Sequence, residues 1–273
     1  MKIIVSHDVD HLYRSDHYKD LIYPKLWVRE TISFIKNEID FSQWKGRLIG
    51  TLKNKRNYID ELIKYDKKND IPSTFFFGMA QGLGMSYKPD KVKPFLIMAQ
   101  KNGFDVGVHG IAYNEKDEME KEFYTFKNLF GFKPEGIRMH YVRYDDNTFK
   151  NLSEVGYVYD STEFDKEKGT CLKNPYKVNN LWEFPLCLMD GYLPKLPKGK
   201  KERSLELLKK AEEKNLKYFT VLFHDNQFCD DYSYERDWYI WFTTLLKERG
   251  YEFISFADAV KELKRESKEK NND

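Results

Sequence analysis

Short β-rich apolar runs alternate with helix-spaced segments along almost the whole chain, and this alternation restricts the fold more than any other feature. Lys2-Ile3-Ile4-Val5 opens the series. It continues with Ser73–Phe77, Phe104–Val108, Gly136–Arg138, Tyr157–Tyr159, Leu181–Phe184, Tyr218–Phe223 and Tyr251–Ile254. Between these runs, apolar positions recur at helical spacing from about Tyr23 to Asn69, with Pro72 as a stop, and around Val92–Lys101, ended by Asn102-Gly103. Further helices are expected near Lys116–Leu129, Asn147–Val155, Ser204–Glu213, Trp238–Arg249 and Phe256–Lys264. Strands that alternate with helices pair in parallel. With about seven such units and no glycine-rich phosphate loop after the first strand, the expectation is an α/β barrel rather than an open sheet. No composition break divides the chain, so residues 1–264 are read as one domain and residues 265–273, charged and without apolar anchors, as a disordered tail.

Charge narrows the function. The 46 basic residues nearly cancel 44 acidic ones, leaving a net charge of +2, so no general attraction to nucleic acid is expected. No apolar run approaches the ~20 residues of a membrane span, and no basic-then-apolar leader precedes the first strand. A cytoplasmic location is the expectation from that start. The three cysteines, Cys171, Cys187 and Cys229, are too scattered for a disulfide framework and read as reduced thiols.

In a barrel of this kind chemistry sits where strands end, and the strand ends here are polar. Asp8 and Asp10 follow the first run two residues apart, which in extended backbone puts both carboxylates on one face. Two such carboxylates repel, and a divalent cation relieves the repulsion; a solvated turn or a helix cap is the plainer alternative. His7 and His11 flank the pair. His109 ends another run and is followed by Gly110, and borderline cations such as zinc accept imidazole together with carboxylate. His224 ends a further run beside Asp225; it suits general acid or base work if a carboxylate fixes its proton, the alternative being a helix cap at Asp225 beside an ordinary histidine. Arg138, His140, Tyr141 and Arg143 cluster after another strand, with Arg138 placed to hold a carboxylate by bidentate pairing. The aromatic group from Tyr232 to Trp241 and the lysine-rich stretch Lys195–Lys201 read more simply as core packing and as a solvated loop.

These residues, in this order, resemble the polysaccharide deacetylases of carbohydrate esterase family 4, from about residue 1 to residue 262. Ser6-His7-Asp8-Val9-Asp10 is similar to that family's Asp-Asp motif with one residue inserted, which implies Asp8 as general base and Asp10 as metal ligand. The family's His-x-x-x-His motif corresponds to His109-Gly110-Ile111-Ala112-Tyr113, with Tyr113 in place of the second imidazole. Neutral tyrosine is a poor zinc ligand. Three outcomes are open: His140 supplies the missing imidazole, water fills the position, or the metal has been lost. Ile137-Arg138-Met139-His140-Tyr141 resembles the family's Arg-x-Pro-Tyr motif with His in place of Pro, which favours the first. Tyr159–Thr162, Gly169-Thr170-Cys171, Glu183–Leu186 and Met189-Asp190-Gly191 resemble a branch encoded with surface-polysaccharide genes, and Leu222-Phe223-His224 resembles the last motif.

The resemblance implies a distorted (β/α)7-type barrel and a metal-dependent hydrolase that removes N-acetyl groups from an amino sugar or saccharide. In that scheme Asp10, His109 and His140 hold a divalent ion, zinc first and cobalt, nickel or manganese next. Asp8 is the base, Arg138 keeps it ionised, the Tyr141 amide contributes to an oxyanion hole, and His224 protonates the leaving amine. Two rivals are a hydrolase of another C–N bond, amide or cyclic ureide, and a catalytically silent glycan-binding homologue.

Overall fold

A computed structural model describes residues 1–269. Its first strand, β1 (Lys2–Val9), shows how the sheet divides the chain's side chains. Ile3, Val5 and Val9 join the large core under the surrounding helices, while Ile4 belongs to a second cluster on the other face, in line with Ser6 and Asp8. Strands β2 (Thr74–Gly78), β3 (Asp105–Gly110), β4 (Gly136–Met139), β5 (Tyr159–Asp160) and β7 (Leu181–Glu183) continue in parallel on one side of β1. On its other side lie β9 (Tyr218–Leu222) and then β8 (Leu188–Met189), also parallel, while β6 (Tyr176–Val178) closes the far edge antiparallel to β7. The nine-stranded sheet has the order β6-β7-β5-β4-β3-β2-β1-β9-β8. Its two edge strands do not pair among the described residues, so the sheet is a curled half-barrel, open between β6 and β8.

Nine helices accompany the strands among the described residues: α1 (Ile22–Ile35), α2 (Phe41–Gly50), α3 (Ile59–Lys68), α4 (Lys93–Lys101), α5 (Lys116–Phe130), α6 (Thr148–Val155), α7 (Pro197–Glu213), α8 (Ser233–Glu248) and α9 (Phe256–Glu269). None is long and apolar enough to cross a membrane. The segment from Tyr23 to Asn69 resolves into three helices, the second opened by Asp40, whose carboxylate accepts from the Gln43 amide at 2.8 Å.

The lower interior of the curl is aromatic. Phe76, Tyr159, Phe184 and Tyr218 meet Phe256 of α9, with the Phe256 ring centroid 5.2 Å from both Tyr159 and Phe184. Glycine at 136 is required there, because a Cβ would lie 2.1 Å from the Tyr159 ring.

Three expectations change. Tyr251–Ile254 is not a strand but a single parallel bridge, Ile3 to Phe253, since the chain turns at once into α9. Helix α7 begins at Pro197, so the lysine-rich stretch is mostly helical, and Lys200 is buried 3.3 Å from Glu235 rather than solvated. Helix α9 runs to Glu269, so the first part of the expected tail is helical, and residues 270–273 lie outside the described residues.

Candidate metal centre and proton-transfer site

The parallel strands deliver their carboxyl ends to one rim, and the polar residues singled out from the sequence gather there. Asp8 comes from the end of β1 and Asp10 directly follows it, His109 comes from β3, His140 from the turn after β4 and His224 from the turn after β9. With Tyr141 they line one cavity of about 630 Å³.

Asp10 Oδ1, His109 Nε2 and His140 Nδ1 face one another. His109 Nε2 is 3.0 Å from His140 Nδ1, and Asp10 Oδ1 is 3.2 Å from the first and 3.3 Å from the second. The opposite nitrogens are committed elsewhere: His109 Nδ1 donates to the Arg138 carbonyl at 3.0 Å and His140 Nε2 to the Leu83 carbonyl at 3.2 Å. Each neutral imidazole thus spends its one proton outward and turns a lone pair inward, the arrangement of metal-binding histidines with backbone partners. Asp10 Oδ1 is buried and has no hydrogen-bond donor among the described residues. Three lone pairs converge with no proton between them, and a divalent cation is the group they fit.

Tyr113 is elsewhere. Its ring packs on the core, the Arg143 guanidinium lies 4.6 Å above it, and its carbonyl accepts from Thr148 Oγ1 at 2.7 Å. The position that would follow His109 by one helical turn does not form a turn of helix here, because β3 ends at Gly110 and α5 starts only at Lys116.

Asp8 sits 3.7 Å from His109 Nε2 and accepts from Arg138 Nη1 at 3.1 Å. The Arg138 pairing is not bidentate. Nη1 is shared with Ser6 Oγ at 2.7 Å, Nε donates to the Ser161 carbonyl and Nη2 to Ser161 Oγ, and the guanidinium lies 4.7 Å above the Phe76 ring. The fully buried fork is spent locking one orientation. Tyr141 and Val142 have left-handed backbones, with φ of 58° and 45°, strain that bends the chain around the cavity rim.

His224 has a different carboxylate partner from the one its sequence neighbour suggested. Asp190, just after β8, accepts from His224 Nδ1 at 2.7 Å and from the His224 amide at 2.8 Å. Asp225 instead accepts from the Tyr58 amide at 3.0 Å. Burial works against the imidazolium, but Asp190 prevails and raises His224 to about 10, while Nε2 stands 3.8 Å from Asp10 Oδ2.

The remaining histidines divide. His7 points to the other side of β1 and bonds the Phe223 carbonyl and Asp66, both at 2.9 Å, so its place is structural. His11 lines the cavity and extends a chain that sequence reading did not find: His11 Nδ1 to His17 Nε2 at 3.0 Å and His17 Nδ1 to Asp20 Oδ2 at 2.6 Å. Asp20 accepts the His17 proton, His17 then accepts from His11, and His11 keeps an unprotonated Nε2. His17 and Asp20 carried no sequence signal beyond being polar residues near His11. Asp190 stood in a recognised motif, but nothing in that motif tied it to His224.

No family model matches the chain, and no curated protein matches it in sequence. Solved structures do. A protein assigned as a polysaccharide deacetylase, from Mycobacterium smegmatis, superposes with a TM-score of 0.62 at 15% identity, covering 97% of this chain and 90% of its own. The polysaccharide deacetylase Bc1974 from Bacillus cereus superposes with a TM-score of 0.51 at 13% identity, over 94% of this chain and 92% of its own. The chain has the polysaccharide deacetylase fold. On that fold, the metal-type cluster and the His224–Asp190 pair occupy the carboxyl-end rim of the sheet, where parallel barrels carry their chemistry.

Proposed function

We propose that this protein is a metal-dependent hydrolase that removes N-acetyl groups from an amino sugar or saccharide. The convergence of Asp10 Oδ1, His109 Nε2 and His140 Nδ1, with outward protons and no internal donor, carries this reading. Those three residues would hold the ion, zinc by the donor set, with cobalt, nickel or manganese as alternatives. A divalent cation there supplies Lewis-acid polarisation of an acyl carbonyl and makes water acidic enough to attack near neutral pH.

The chain's own residues supply the proton traffic. Asp8, oriented by Arg138, takes the proton of the attacking water. The Tyr141 amide, set in its left-handed turn on the rim, donates to the oxyanion that forms, a contribution worth ~3 kcal/mol for a single donor. His224, held as imidazolium by Asp190, gives its Nε2 proton to the departing nitrogen. Leu222, on the cavity wall, offers an apolar surface to the acetyl methyl.

Tyr113, in place of the second motif imidazole, is the best argument for a silent glycan-binding homologue. His140 removes its main support by putting a second imidazole at the cluster. The test is elemental analysis of the purified protein, then zinc reconstitution and measurement of acetate released from N-acetylated sugars. Stoichiometric metal and acetate release are expected. Absence of both after reconstitution rejects the proposal, and metal-dependent turnover of a cyclic ureide or simple amide without acetate release favours the other C–N hydrolase.

A further inference from the structure

Helices α1 and α2 are built inside out. The residues that α1 buries against the body are polar, Glu30 at 3% and Ser33 at 1% exposure, while Val28, Ile32 and Ile35 are 61%, 47% and 72% exposed. With Pro24, also exposed, they fall within about 40° either side of one line along the helix at 100° per residue. Helix α2 repeats the inversion: Gln43 and Arg47 are buried, and Phe41 and Ile49 face solvent.

The buried polar side explains how the pair is held. Arg47 bonds Glu30 at 3.0 Å and Glu235 at 2.7 Å, and Gln43 reaches Ser233 at 2.7 Å, so ion pairs and hydrogen bonds attach the hairpin to α8. Lys195, paired with Glu38, borders the outward apolar face, and among the described residues Val28, Ile32 and Ile35 stay largely uncovered. Surface apolar residues scattered singly need no account, but a continuous stripe at the centre of a helix's solvent face does.

Charge identifies the occupant. Lys25, Lys36 and Lys45 are exposed around the apolar face and form no ion pair among the described residues, while Arg29 beside them is paired with Glu30 and Lys195 with Glu38. A second copy docked face to face would set these cations against their equals. An anionic lipid surface satisfies both features, accepting the apolar side chains at the acyl boundary and the cations among the headgroups. The face adjoins the candidate site, since Ile22, Lys25, Leu26 and Arg29 of the same helix line the catalytic cavity.

We propose that the outer face of α1–α2 docks this protein on an anionic membrane surface, with the cavity mouth held beside it for a membrane-tethered saccharide. The docking is independent of the deacetylase reading; only the nature of what enters the cavity rests on it. The experiment is co-sedimentation of the purified full chain with phosphatidylcholine vesicles, with and without phosphatidylglycerol. Binding is expected only with the anionic lipid, and to weaken as salt rises. An Ile32→Glu, Ile35→Glu variant with unchanged thermal midpoint should lose about tenfold or more in vesicle affinity. Lys25→Glu, Lys36→Glu should lose a comparable amount. Failure of the wild-type chain to bind, or equal binding to both vesicle types, overturns the proposal. So does a dimer in sedimentation that Ile32→Glu, Ile35→Glu dissolves, which assigns the face to a second copy. Acetate release from soluble sugars is measured separately, so a wild-type chain that releases acetate but does not bind anionic vesicles rejects docking without touching the hydrolase.

Discussion

The proton on each histidine is decided by one outward hydrogen bond, and that decides what the cluster can bind. His140, the residue where the sequence resemblance expects proline, has its Nδ1 turned to Asp10 and His109 because Leu83 takes its Nε2 proton. Replacing His140 by Ala should lower zinc affinity by roughly 100-fold or more, measured by calorimetric titration, since a directly facing imidazole matters at least as much as an outer-shell partner. Tyr113→His should leave that affinity within about twofold, because Arg143 and Thr148 anchor this position away from the cluster. A large gain from Tyr113→His would mean that the site still uses the position. Asp190→Asn removes the charge that keeps His224 protonated. Lowered turnover by about 10²–10⁴ with zinc affinity retained is expected, and unchanged turnover would exclude His224 as the proton donor.

At the level of single elements, β5 and β7 place two carboxyl groups opposite each other. Asp160 and Glu183 are register partners, both fully buried, and Asp160 Oδ2 and Glu183 Oε2 have no donor among the described residues. Burial first, and the charge of Asp160 next, push Glu183 well above its ordinary 4.5. One proton held between the pair satisfies both oxygens. The sign for stability follows from linkage. Below the ordinary value both states carry the proton and nothing is lost. As pH rises past 4.5 the unfolded chain releases a proton that the native state keeps, so stability falls, by at most about 1.4 kcal/mol per pH unit, until the native group also ionises. Glu183→Gln supplies a permanent donor and should flatten that decline. Denaturant unfolding of both forms from about pH 5 to about pH 8 measures it, and parallel curves would show that the pair carries no proton.

Across the whole molecule, the chain's last helix closes the interior opened by its first strand. Phe256 of α9 is fully buried among Phe76 of β2, Tyr159 of β5 and Phe184, which directly follows β7. Phe256→Ala should cost ~3–5 kcal/mol in unfolding free energy while leaving zinc affinity unchanged, because the Phe256 ring packs on Phe76, Tyr159 and Phe184 and on none of the three candidate ligands. Much of this architecture was readable beforehand. A strand's period of two and a helix's period of 3.6 are local properties, so the alternation along the chain determined the parallel α/β class, and polar residues at strand ends determined where Asp8, Asp10, His109, His140 and His224 would gather. Pairings across the fold were not readable, because a residue's neighbour in space leaves no mark on the residues beside it in sequence. Asp225 stood next to His224 and proved to cap Tyr58, while Asp190 came to His224 from another strand. The inside-out hairpin was hidden for the same reason: the spacing of α1 marked one apolar face, and only the buried Arg47–Glu30–Glu235 network turned that face outward.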